Sequence, residues 1–414
     1  MGFPHIIERH AEEASELWVL RSRAVCAPHY FRRDIAKLDA RIEANFEGLR
    51  VAGKAGERAA ASLALDHPGA AFARTVVALH AKDPASFAKV LDALDASPEL
   101  ATGVLGALAW VPLSVSSWAT RALVHGRCPP ILRRFGLATH IAHRSDPGPL
   151  LADSLTTSSA PLRSVALEGV GILGREDLLD DVKDDIASPH SGVRRAACWS
   201  AALLGDQDAT QGLWEFADPD TTVGRGVLEL ALARSEPTVA RGQLTAWSLE
   251  ASTVRCAVAA AGILGSADGL DLIVQSLEVP TLARIAGEAF SRVTGIKIDG
   301  HLRGAPIEAA RKGPTDDPAD DRVEADPDEA LSWPNVEAVR KAHDEWRKQR
   351  PPGARLLLGA PLGLEQCDAA LQSASQRVRF GVALERAILT AGPVANVGQP
   401  AHLQRRVMSR PQTP

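Results

Sequence analysis

Apolar positions along this chain fall into blocks that recur. In LRSVALEGVGILG, Leu162 to Gly174, almost every position is small or aliphatic, and related blocks VRRAACWSAALLG, VRCAVAAAGILG and LARIAGEAFSRVTG end at Gly205, Gly265 and Gly295. The arginines near the start of successive blocks, Arg133, Arg163, Arg194, Arg225, Arg255 and Arg284, are separated by 30, 31, 31, 30 and 29 residues. A fixed interval of that size is the mark of a repeat array. Each block predicts a helix buried on several sides, opened by a Ser-Pro or Asp-Pro turn whose oxygen accepts from the free amides, and ended by a glycine able to take a left-handed cap. A short polar turn and a second, amphipathic helix follow. In DLLDDVKDDIA, Leu178, Leu179, Val182 and Ile186 form the apolar stripe and Asp180, Asp181, Asp184 and Asp185 the polar one. One such pair cannot bury its own stripe, so successive pairs must stack. The expected fold is all-α, an α-solenoid.

The array extends upstream in weaker form, through AFARTVVALHA around Arg74 and ELATGVLGALAWVP around Gly103, giving about seven or eight units between residues 61 and 300. Residues 1–60 predict a helical N-terminal cap, with Ile6, Ile7, His10, Ala14, Leu17 and Trp18 on one helix face and Ile35, Leu38, Ile42, Phe46 and Leu49 on another. Residues 301–332 form an acidic linker. Its core, Gly313 to Ala330, holds eight carboxylates against Arg322 and is expected to be extended. Residues 333–414 are a basic helical region with twelve Lys or Arg against six acids. It predicts a helix ending before Pro351 and another from about Leu364 to Thr390, with apolar GARLLLGAP between them. The opposite charges suggest that the linker folds back on the tail and masks it, an attraction that salt would weaken.

Composition supports close-packed helices: 45% of the 414 residues are hydrophobic but only 4% aromatic. A net charge of -5 implies no bulk attraction to nucleic acid or membrane. The five cysteines show no metal-type spacing, as in a reducing compartment, and no signal peptide or 18-residue apolar run is present, so a cytoplasmic location is expected.

The S/D-P-x-x-x-V-R opening and A-x-x-A-L-G close resemble short HEAT repeats of the phycobilin-lyase type. That resemblance implies that the opening arginine of each first helix pairs with an acid of a neighbouring unit. Leu17 to Arg21 (LWVLR), LDARIEANFEGLR from Leu38, GARLLLGAP from Gly353 and SQRVRFGVALERA from Ser375, together with the repeats, resemble an uncharacterised bacterial family of HEAT-repeat proteins. Members of that family are encoded beside type VI secretion genes. The resemblance implies an adaptor or chaperone whose protein partner is a type VI secretion effector or spike-tip protein.

Signatures of chemistry are sparse. None of the twelve histidines precedes Glu, which excludes the repeated His-Glu iron site of hydroxylases built on this scaffold. His140 and His143 could share a helix face, yet no carboxylate stands at helical spacing within LATHIAHR to complete a metal site. The acidic second helices would repel the phosphates that a nucleic-acid-binding relative must hold. Cys198 and Cys256 lie in apolar helices where thiols are inert. No catalytic residue, cofactor or metal is therefore expected. A HEAT-scaffold enzyme or nucleic-acid-binding protein is the competing class. The expected partner-binding residues are those of second helices pointing away from the stripe: Asp181, Asp185, Trp214, Arg241, Trp247 and Gln275. The like charges of Asp181 and Asp185, four apart, hint at a basic partner.

Overall fold

Prolines fix where many helices of this chain begin. Pro68, Pro84, Pro130, Pro149 and Pro237 stand in the first turn of the helices Pro68–Ala81, Pro84–Asp92, Pro130–Ala142, Pro149–Leu155 and Pro237–Ser248, where their missing amide costs no hydrogen bond. Glycines fix where others end. Gly174, Gly265 and Gly295 have φ of 71°, 62° and 75° and close Ala160–Leu173, Val254–Leu264 and Ala283–Thr294 with left-handed caps. The expected side-chain caps are fewer. Ser159 makes none, and the helices Ser191–Leu203 and Thr222–Arg234 start at His190 and Thr221 rather than at the Ser188 and Asp218 turns.

The computed structural model describes residues 4–307, 326–349 and 353–408. Among them are 22 α-helices and one two-stranded antiparallel sheet, Leu356–Leu357 with Ala360–Pro361. The fold is all-α, with solenoid-type stacking of helix pairs.

The chain divides into two units, one of residues 1–26, 30–204 and 392–414, the other of residues 27–29 and 205–391. These divisions do not fall at the expected boundaries after residues 60, 300 and 332. In the first unit the successive first helices Pro68–Ala81, Ala101–Trp110, Pro130–Ala142, Ala160–Leu173 and Ser191–Leu203 stack in order. The helices Pro4–Ala24 and Arg32–Val51 pair at its beginning and bury Leu17, Trp18, Ile35, Ile42 and Phe46. Trp18 stacks on Phe72, and Trp110 meets Phe72 edge-on. In the second unit Thr222–Arg234, Val254–Leu264 and Ala283–Thr294 stack in the same way around Leu228, Val258, Ile285 and Phe290. The second helix expected over DLLDDVKDDIA is short, one 3-10 turn and Leu179–Lys183.

The C-terminal region is not an appendage. A helix leaves its last backbone carbonyls unpaired, and segments of this region supply the missing donors. In the second unit Leu356 N–H donates to the Gly265 carbonyl, and Leu358 and Gly359 donate to Arg292 and Val293, at 2.9, 2.6 and 2.9 Å. Gly265 is required there twice over: its φ is +62°, and a Cβ would lie 2.1 Å from the Leu356 oxygen. The helix expected from Leu364 to Thr390 is two, Leu364–Ser373 and Gln376–Thr390, and the second packs on Thr222–Arg234. In the first unit Val394 N–H donates to the Ile172 carbonyl and Asn396 Nδ2 to Ala142, at 3.1 and 2.9 Å. There, too, Ala401 N–H donates to Asp39, whose carboxylate also holds the buried Arg21, and Arg21 donates to the Gly398 carbonyl.

The described end of the acidic linker is also tied to the repeats. Most of the linker lies outside the described residues, but Asp326 and Asp328 are fixed. Asp328 is buried and accepts two hydrogen bonds from Arg255 (2.8 and 2.6 Å), and Asp326 accepts one from Arg284 (2.6 Å). The described end of the linker therefore pairs with repeat arginines.

Candidate interaction surface

The first helices are filled with apolar packing, so the polar second helices and the arginine ladder are where a site can form. The ladder is internal. Arg163 reaches Asp185 at 2.6 Å, Arg194 donates to the Ser188 carbonyl at 2.8 Å, and Arg255 lies between Asp220 and Asp328. Arg225 reaches Glu288 at 3.2 Å, and Arg377 meets the same carboxylate. Arg292 forms a two-pronged buried pair with Glu229 at 2.5 and 2.6 Å. Burial opposes the charges of Arg292 and Glu288, but Glu229 holds the Arg292 guanidinium above its usual range, and Arg225 and Arg377 hold the Glu288 carboxyl below its own. These partners differ in direction and distance along the chain, so the ladder follows no single neighbour rule.

This geometry redistributes the six expected contact residues. Asp185 is buried and occupied by Arg163, so it is structural; the charge it was expected to show outward is spent inside. Asp181 is exposed, in the first unit. Trp214, Arg241, Trp247 and Gln275 all belong to the second unit, with Arg241 and Gln275 exposed and both tryptophans half-buried. Trp214 and Trp247 meet edge-to-face, ring centroids 5.5 Å apart, and the indole nitrogen of Trp214 has no acceptor among the described residues. Leu244, Trp247 and Leu272 pack on one core, and the helices Pro237–Ser248 and Ala267–Ser276 each pack on Val254–Leu264. The helix Val336–Arg347 packs on the same core. Its Arg340 pairs with Glu278 at 2.6 Å and its Arg347 with Asp271 at 3.7 Å, while Val336, Ala342 and Trp346 pack on the same core.

Sequence reasoning missed Asp208, Glu236 and Glu250, all exposed on the two segments that carry the tryptophan pair. They stand at helix edges and turns, outside the stripes the periodicity picks out. Carboxylates bracketing both ends of Pro237–Ser248 were the available sign.

Other polar clusters are already committed. His143 Nε2 meets the Leu108 carbonyl at 2.9 Å, so that nitrogen is already engaged. Burial lowers both imidazoles below their ordinary range. Among the described residues no three His, Cys, Asp or Glu side chains are grouped to hold a metal ion. Burial pushes the Cys256 and Cys367 thiols up to about 11, away from the thiolate form a nucleophile needs. In the first unit a groove of about 950 Å³ opens between the beginning of Pro4–Ala24 and Lys54–Ser62, lined by Ile6, Ile7, His10, Val51 and Arg58. Ile6, expected inside the cap, is 45% exposed there.

Residues 148–233 match the family model for HEAT repeats. No curated protein and no solved structure matches the chain. HEAT repeats commonly serve as scaffolds for protein interaction, and the chain carries them across the middle of its sequence. Among the described residues no helix is long and apolar enough to cross a membrane.

Proposed function

We propose that this chain is a non-enzymatic, cytoplasmic protein-binding scaffold, acting as an adaptor or chaperone in type VI secretion tip or effector assembly. The observation that carries the scaffold reading is the HEAT-repeat match together with second helices whose polar faces remain exposed, at Asp181, Arg241 and Gln275. The resemblance of the end segments LDARIEANFEGLR, GARLLLGAP and SQRVRFGVALERA to proteins encoded beside type VI secretion genes supports the finer assignment. Binding is non-covalent and needs no cofactor or metal. Affinity capture of the tagged full chain from its native host, with the secretion genes expressed, tests it. A spike-tip protein or effector enriched over an untagged control is expected. Recovery of neither, with the bait intact, overturns the secretion role. Stoichiometric metal in the purified chain overturns the non-enzymatic reading.

A further inference from the structure

Resting on the scaffold reading, we infer that the surface around Trp214 and Trp247 in the second unit docks a partner segment that is amphipathic and basic. Four observations converge on it.

The first is aromatic. Of the eight tryptophans, Trp18, Trp110, Trp199 and Trp333 are buried. Trp118 is half-buried but committed, meeting Phe87 edge-on and donating to the Leu79 carbonyl, and Trp346 is half-buried on the helix Val336–Arg347. Trp214 and Trp247 instead meet each other at a surface water reaches. Tryptophans in such positions are the commonest anchors of protein interfaces.

The second is apolar area beside them. Val239, on the same helix as Trp247, is 39% exposed, and Leu249, just past its end, is 80% exposed. Single exposed aliphatic residues are ordinary, but one this exposed, two residues from a half-buried tryptophan, adds apolar surface beside it.

The third is charge. Between residues 207 and 216 and between 236 and 250 the charged side chains are Asp208, Glu215, Glu236 and Glu250 against Arg241 alone, and all five are exposed. Four carboxylates against one guanidinium on these two segments favour a cationic partner and repel phosphates.

The fourth is the chain's own example. In the same unit, helix Val336–Arg347 lays Val336, Ala342 and Trp346 on the core while Arg340 and Arg347 reach Glu278 and Asp271. An amphipathic segment carrying arginine is thus what already covers the neighbouring carboxylates. Trp214 and Trp247 stay half-buried, and cations above a tryptophan face gain further attraction from the ring.

The test is selection of a randomised 16-residue peptide display library on the full chain, followed by calorimetric titration of the most enriched peptide. Enriched peptides should carry net positive charge with apolar residues at helical spacing. Trp247→Ala should weaken the chosen peptide about 30-fold. The double variant Glu236→Lys/Glu250→Lys, at exposed positions, should weaken it about tenfold, by a factor that shrinks as salt rises. If Trp247→Ala unfolds, the double variant, whose melting should match the parent, decides. Neutral or acidic peptides, absence of enrichment, or binding unchanged in the double variant overturns the inference. Peptides that bind elsewhere on the chain would sink this surface and leave the scaffold reading standing. An empty capture from the native host would sink the secretion role and leave this surface standing.

Discussion

Arg292 and Glu229 are each less than 5% exposed and hold one another through two hydrogen bonds. Attraction at that depth offsets desolvation only while both partners are present, so Glu229→Gln should cost about 3–5 kcal/mol in urea unfolding. Replacing both by apolar residues of similar size should cost much less. His140 and His143 give a pH dependence of definite sign. Burial keeps both imidazoles neutral to lower pH than in the unfolded chain, with the neighbouring His143 adding to the effect at His140. The unfolded chain therefore takes up protons first, and stability of the first unit is lost as pH falls below about 6.5 toward the folded values. Melting temperature measured from pH 8 to 5 should fall as pH is lowered, and His140→Gln/His143→Gln should reduce the slope, leaving the part owed to His80 and His402, which burial also lowers. None of these pairings was legible from residue spacing. Glu229 lies 63 residues from Arg292, two repeats away, and the repeat interval gives no reason to match them. Asp185 fails for the related reason that a helical wheel assigns a direction but not a neighbour. In a helix as short as Leu179–Lys183 the residue two places past the end turns inward to Arg163.

At the scale of elements, the first helices were readable because their signals are local. Leu162, Ala166, Leu167 and Val170 are buried, and the Gly174 cap follows from one residue's freedom at positive φ. GARLLLGAP was readable only as apolar. Its strand pairing, Leu356 with Pro361 and Leu357 with Ala360, depends on helix ends about 60 to 90 residues earlier that accept its amides. If those carbonyls are its true partners, the amides of Leu356, Leu358 and Gly359 should exchange with deuterium as slowly as those of Val254–Leu264. Exchange at the rate of a free loop would contradict the pairing. The same local-versus-distant contrast explains the linker. Its composition suits an extended chain, yet Asp326 and Asp328 are drawn to Arg284 and Arg255, which charge counting within the linker cannot anticipate.

For the molecule as a whole, the C-terminal residues complete the first unit. Val394, Val397 and Leu403 are buried, and Ala401 and Gly398 satisfy Asp39 and Arg21. Truncation after Ala391 should therefore destabilise that unit by several kcal/mol, from about 1.5–3 for each fully buried aliphatic side chain. Faster hydrogen exchange in Pro4–Ala24 and Arg32–Val51 would show it; unchanged exchange there would mean the segment is not part of the fold. The sequence by itself determined the all-α class, the repeat interval, the buried first helices and the half-buried tryptophans' place in second helices. Each of these follows from periodicity, capping or composition within about one repeat. Only the tertiary structure decided that Asp185 is spent on Arg163, that Trp214 and Trp247 meet, and that the tail's amides complete helix ends far back in the chain. Those outcomes depend on which unpaired carbonyls, charges and rings come within a few ångströms, and chain order carries no record of such proximity.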